Sequence, residues 1–216
     1  RATAGLGPAD WAACSVSLQD PSVQSMLPVQ FDEFYLSSQS MGRLFPQGCL
    51  DQEVLEVGLR WARRTLCQNN DFARAHNSCL WLNTFFFTKL MDSLDSDPQL
   101  SRLSRWTART TWSQINSVMI PIHLPSAAPG GHWVAAVIRI GATFKIQILD
   151  NWKHTPPDEL TRVGVALSRW TEVVLKQQLG RSGPINVLHD KPLVWQQQGS
   201  NNCGLFCITN LLHHAQ

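Results

Sequence analysis

Near its C-terminus the chain reads QQGSNNCGLFCITNLL (residues 197–212): amides and glycines, one thiol, then an apolar run. Leu205, Ile208, Leu211 and Leu212 follow Cys203 at helical spacing, and residues 199–202 are loop and capping types, so the spacing predicts Cys203 at a helix N-terminus. Free backbone N–H groups and the positive end of the helix dipole favour a thiolate there, and a protonated histidine nearby favours it further. Glycines ahead of the thiol let a substrate approach the backbone closely. Gln197, six residues upstream and one of three consecutive glutamines (196–198) that chemistry alone does not tell apart, offers an amide N–H₂ to a developing oxyanion.

The base and its partner come from HWVAAVIRIGATFKIQILDN (residues 132–151), two β-rich runs around a short loop. A hairpin centred on Gly141 pairs Ile138 with Phe144, Ala136 with Ile146, Val134 with Ile148 and His132 with Asp150, all on one face. Directly opposed side chains lie about 4.5–5.5 Å apart at Cβ, close enough for imidazole and carboxylate to meet. A buried carboxylate needs such a partner. Cys203, His132, Asp150 and Gln197 together make an acyl-transfer set. The opposite hairpin face carries Trp133, Ala135, Val137 and Leu149, so the sheet is covered on both sides, as in an α/β protein.

Around this constellation, Asp51 caps a helix with Glu53 in its first turn and Val54, Leu55, Leu59, Ala62 and Leu66 on its apolar face. Residues 78–91 (SCLWLNTFFFTKLM) read as a buried helix with a strand as the second reading, 117–124 (SVMIPIHL) as a strand, 125–131 (PSAAPGG) as a loop and about 158–179 as a helix. Residues 1–30 carry little periodicity and read as an extension or linker before a single domain at 31–216. The chain opens on Arg1 and so reads as a piece of something longer.

Composition excludes several classes. At 216 residues, 44% hydrophobic and 16% charged, the chain fits one globular domain with a sizeable core. A net charge of +2 gives no nucleic-acid surface, and the densest basic cluster, RWARR at 60–64, reads as a solvated helix face. No run approaches the roughly 18 apolar residues of a membrane span, and no signal peptide opens the chain. Six cysteines without a CxxC pair read as free thiols in a reducing compartment; Cys14, Cys67, Cys79 and Cys207 are expected to be structural. A metal held by Cys203, Cys207 and His214 fails, since a helix places the outer two roughly 16 Å apart. The six histidines other than His132 read as surface or structural groups.

The motifs NTFFFTKL (83–90), IPIHL (120–124), GHW (131–133), ILDN (148–151) and QQQGSNNCG (196–204), in this order and spacing, resemble landmarks of the SUMO-specific, ubiquitin-like cysteine proteases. The resemblance covers about residue 51 to the C-terminus. It implies a papain-like α/β fold, with a central mixed sheet and the nucleophile at the start of a central helix. It makes Cys203 the nucleophile, His132 the base, Asp150 its orienter and Gln197 the oxyanion donor. Trp133 matches a residue that covers the Gly-Gly tail of the modifier. The implied activity is cleavage after that Gly-Gly, as isopeptidase or in precursor maturation, with SUMO and its lysine conjugates as partners. It further implies no cofactor or metal, a monomer, and a site of action in nucleus or cytoplasm, or in a host cell for a delivered effector. Alternatives are deubiquitinase, deneddylase or acetyltransferase chemistry on the same triad, and a non-catalytic modifier-binding module. Three positions depart from the pattern: Asn202 replaces an aspartate, Cys49 in CLDQE (49–53) replaces a tryptophan of the tail-binding tunnel, and the 125–131 loop is longer than usual.

Overall fold

The computed structural model describes residues 29–31, 34–37, 40, 49–125, 127, 130–189 and 202–215. A small hairpin, β1 (Val29–Phe31) and β2 (Phe34–Leu36), comes first, so a strand straddles the boundary placed at residue 30. Five strands then form a mixed sheet in the order β3 (Cys79–Trp81), β4 (Ser117–Leu124), β5 (His132–Ile140), β6 (Phe144–Leu149), β7 (Ile185–His189). The three central strands are antiparallel, and β3 and β7 join them in parallel at the two edges.

Alternation along β5 sends two sets of side chains into two cores. Val134, Ala136 and Ile138, with Phe144, Ile146 and Ile148, pack under α3 (Phe86–Met91), α4 (Asp97–Arg102) and α5 (Pro157–Trp170). Trp133, Ala135 and Val137, with Leu149, pack under α1 (Gln52–Leu66) and the C-terminal helix α7 (Cys203–His214). The α/β architecture with a mixed central sheet is as the sequence implies.

Several elements follow from local chemistry. Asp51 caps α1 by accepting from Val54 N at 3.0 Å, and Val54, Leu55 and Leu59 are buried; Leu66, expected on that face, is 37% exposed. The helix expected at 158–179 is α5, a π-helical turn (Thr171–Leu175) and α6 (Lys176–Leu179), ended by Gly180 in the left-handed region.

Three expectations are corrected. Residues 78–91 are not one helix, because the segment divides into β3 and α3 after α2 (Asn70–Asn77). The break comes where Thr84 N donates to the buried Glu56 carboxylate and Asn83 Oδ1 accepts from Phe85 N, so local polar bonds compete with helix formation. The 60–64 cluster is not wholly solvated: Arg63 lies 4.5 Å over the Trp81 ring and donates to His76 Nε2 at 2.8 Å, and burial with Arg60 nearby lowers its pKa to about 10. The hairpin turns at residues 141–143, pairing Ile140 with Phe144, Ile138 with Ile146 and Ala136 with Ile148, two residues out of the expected register. A shift of two preserves which face each side chain occupies, so the face assignment survives the register error.

Candidate active site

His132 opens β5, and Asp150 directly follows the last residue of β6. They are therefore diagonal neighbours rather than the opposed pair expected, and the side chains close the gap. His132 Nε2 lies 2.9 Å from Asp150 Oδ1, with the residues 2% and 1% exposed. A carboxylate only accepts, so Nε2 carries the proton and Nδ1 is left for the hydrogen bond that His132 makes with Cys203. The same Asp150 oxygen accepts from Trp152 N at 2.9 Å. The Trp152 ring lies 5.2 Å from the imidazole, an apolar cover on the pair.

Cys203 is the first residue of α7 and is 1% exposed. Its helix lies against the Trp133 face of the sheet and His132 belongs to the other, so thiol and imidazole meet around the tip of β5. Burial alone would raise the thiol pKa. The hydrogen bond from His132, backbone hydrogen bonds at Trp133 and Gly204, and the charge of His132 outweigh it and hold the thiol below its ordinary range. For His132 burial works downward, but hydrogen bonds and charges from Asp150 and Cys203 prevail and raise its pKa. The two shifts favour the same state, thiolate beside imidazolium. Such a pair can attack a carbonyl and return a proton to the leaving group.

These directions set a pH profile. An unperturbed thiol at 9.0 and imidazole at 6.5 leave no pH at which both are charged. Lowering the first and raising the second opens that window, so kcat/KM is expected to be bell-shaped. Its acid limb follows thiolate formation below 9.0, and its alkaline limb follows loss of the His132 proton above 6.5. A profile rising monotonically to pH 9 would contradict the pairing.

The helix is anchored at both ends and along its side. A Cβ on Gly204 would sit 2.9 Å from Leu50 Cδ1, so the absent side chain lets Leu50 lie against the start of α7. At the far end Arg139 Nη2 donates to His214 O at 2.7 Å. Between them the buried Asn210 Nδ2 donates to Asn151 Oδ1, tying the helix to the residue after Asp150. The inward face is Cys203, Cys207, Asn210 and Leu211, whereas Leu205, expected inside, is 57% exposed. Cys207 donates to Val134 O at 3.3 Å, and complete burial drives its pKa strongly upward, which leaves it an inert thiol. Cys79 is buried with a raised pKa from the same cause. The five described cysteines are in no disulfide.

A cleft of about 580 Å³ borders this region, lined in part by Cys49, Leu50, Phe85, His123 and Gly130. Trp133 is only 2% exposed; its Nε1 donates to Leu50 O at 2.6 Å, and its ring lies 4.8 Å from that of His123. Asn202 is exposed at the start of α7 and makes no side-chain cap. Gln197 and Cys14 lie outside the described residues, as do Ser126, Ala128 and Pro129 of the 125–131 loop. Among the described residues no cluster of three His, Cys, Asp or Glu could hold a metal, and no helix is long and apolar enough to cross a membrane.

Sequence reasoning missed Trp152, Asn151, Asn210 and His123. Trp152 was within reach, since a tryptophan two residues past a candidate acid can fold back over it. The Asn151–Asn210 bond joins elements 59 residues apart and has no local signature.

The Ulp1 protease family, C-terminal catalytic domain, matches residues 50–216. The chain belongs to the Ulp1 protease family. Ubiquitin-like-specific protease 1A of Arabidopsis thaliana is 32% identical over 138 residues, 60% of this chain, which spans about a quarter (25%) of that relative's length. Among solved structures, the C-terminal Ulp1 protease domain in complex with Smt3, the yeast ortholog of SUMO, aligns with a TM-score of 0.66 at 16% identity, covering 100% of this chain and 86% of that one. The Ulp1-like SUMO protease catalytic domain of Chaetomium thermophilum aligns with a TM-score of 0.64 at 19% identity, covering 100% and 81%. Identities this low speak for the fold, and in this Ulp1-family chain that fold brings Cys203, His132 and Asp150 into one buried line.

Proposed function

We propose that residues 31–216 form a cysteine isopeptidase and endopeptidase that cleaves after the C-terminal Gly-Gly of a ubiquitin-like modifier, with SUMO as the modifier. The observation that carries the chemistry is the buried thiol at the start of α7, held below its ordinary pKa beside an imidazole that Asp150 orients. The choice of SUMO rests on family membership and on what the relatives are named for.

In this reading the Cys203 thiolate attacks the carbonyl carbon of the terminal glycine. The oxyanion that forms is held by backbone N–H groups at the start of α7 and by the amide of Gln197. The tetrahedral species collapses to a thioester as the His132 proton passes to the departing lysine amine. His132 then takes a proton from water as it attacks the thioester, which frees the modifier's carboxylate and restores the thiol. Asp150 keeps Nε2 protonated and the ring aimed throughout. Every step is assigned to a side chain, a backbone N–H or water. Five described cysteines in no disulfide support a reducing compartment, nucleus or cytoplasm, or a host cell after delivery, as the site of action.

Three departures from the family pattern bear on this. Asn202 supplies no charge beside the thiol, and the Cys203–His132 contact is made without one. The loop before His132 ends in two glycines with positive φ, 84° at Gly130 and 82° at Gly131. Cys49 occupies the cleft wall where the family has an indole, and a cysteine covers much less area. Selection for glycine before the scissile residue should therefore be relaxed. Comparing kcat/KM on modifiers ending Gly-Gly and Ala-Gly, we expect smaller discrimination in the parent than in Cys49→Trp. Equal discrimination in both would show that another group already narrows the passage.

The functional test is hydrolysis of matched lysine conjugates of SUMO, NEDD8 and ubiquitin. SUMO should be cleaved fastest, and a clear preference for ubiquitin or NEDD8 would overturn the choice of modifier while leaving the chemistry intact.

A further inference from the structure

The cleft wall is a closed circuit of contacts. The backbone of Gly130 packs by Cys49, where a Cβ would lie 3.5 Å from Sγ. Gly131 lies so close to His123 that any Cβ would collide with the imidazole. His123 also hydrogen-bonds the Gly130 backbone and lies 4.8 Å, ring to ring, from Trp133, its cross-strand partner between β4 and β5. Trp133 returns to Leu50 through its Nε1, and Leu50 packs on Gly204 beside the thiol. One imidazole thus touches both the turn that leads into His132 and the indole that follows it. It lines the cleft itself and also a second, smaller cavity of about 170 Å³ between Thr88, Leu124 and Arg162. Burial lowers its pKa, and the charge of His132 nearby lowers it further, so both favour the uncharged ring.

We propose that His123 is a positioning residue for substrate binding: it holds the Gly130–Gly131 turn on the buried Trp133 indole and so keeps rigid one wall of the cleft through which the modifier's tail reaches Cys203. On the other side of Gly130 the wall has only the small side chain of Cys49, so its rigidity depends on the ring behind the turn. The role is one of positioning, because the groups His123 touches are the turn and the indole. It rests on the proposed function, and parent enzyme that cleaves no modifier conjugate would sink that reading before this one is reached.

The experiment measures kcat and KM on a SUMO C-terminal fluorogenic substrate for the parent, His123→Ala, His123→Gln and His123→Phe, with the rate of Cys203 alkylation by iodoacetamide alongside. His123→Ala should raise KM about tenfold with kcat and alkylation within about twofold, the signature of lost binding rather than lost chemistry. Glutamine can still donate to the Gly130 carbonyl and should recover most of KM. Phenylalanine keeps a ring against the indole without that hydrogen bond and should not. If alanine prevents folding, the glutamine and phenylalanine pair decides alone. A fall in kcat or alkylation at unchanged KM would overturn the proposal by making His123 part of thiol activation. Unchanged KM in every variant, or glutamine no better than phenylalanine, would overturn it too.

Discussion

Cys203→Ala is expected to abolish hydrolysis of any modifier conjugate, by roughly 10⁴-fold or more in kcat, while modifier binding persists. The residue makes its hydrogen bonds through Sγ to His132 and to backbone groups at Trp133 and Gly204, so the substitution removes the nucleophile and little else. Alanine is a good helix former and leaves α7 intact. Binding is read by calorimetry with an intact conjugate, and activity by gel-based cleavage over hours. Residual turnover above about one per cent would mean that another thiol attacks. Cys49 is then the candidate to test, because it is partly exposed on the neighbouring cleft, whereas Cys207 and Cys79 are buried.

His132→Ala and Asp150→Asn are expected to differ. Without the imidazole the thiol loses its strongest opposing influence to burial, so its pKa rises toward the ordinary 9.0, and the leaving amine has no proton donor. The loss should approach that of the nucleophile itself, on the order of 10³- to 10⁴-fold in kcat/KM at pH 7. Asparagine at 150 keeps the size and can keep the Trp152 N–H bond, but it removes the charge that helps raise the His132 pKa. The alkaline limb of the pH profile should therefore move to lower pH, with a loss of about 10- to 100-fold at neutral pH. An Asp150→Asn enzyme with parental rate and an unmoved alkaline limb would show that the carboxylate does not set the charge of His132.

What the sequence could supply divides along physical lines. The strand at 117–124 and the helix from Asp51 were legible because apolar periodicity and a capping aspartate are local signals. The hairpin register was misplaced by two because a short loop containing Gly141 can centre on either neighbour; only packing chooses, and an even shift costs nothing in face assignment. The His132–Asp150 contact was foreseen through a register the fold does not use, and it stands because long side chains reach diagonally as well as straight across. Cys203 at a helix start was legible from loop composition. The meeting of two sheet faces at the tip of β5 was not, since it depends on how α7 crosses the sheet. His123 was passed over because its role is tertiary: nothing around it in IPIHL announces that it will touch two glycines and an indole from the next strand.

The most direct measurement is covalent capture with SUMO, NEDD8 and ubiquitin carrying a C-terminal electrophile, read by intact mass and peptide mapping on the parent and on Cys203→Ala. The proposed function predicts a single adduct with the SUMO probe, mapped to Cys203 and absent from the variant, formed at pH 7 faster than with either other modifier. An adduct on a different cysteine, or none with any of the three probes on folded protein, would contradict it.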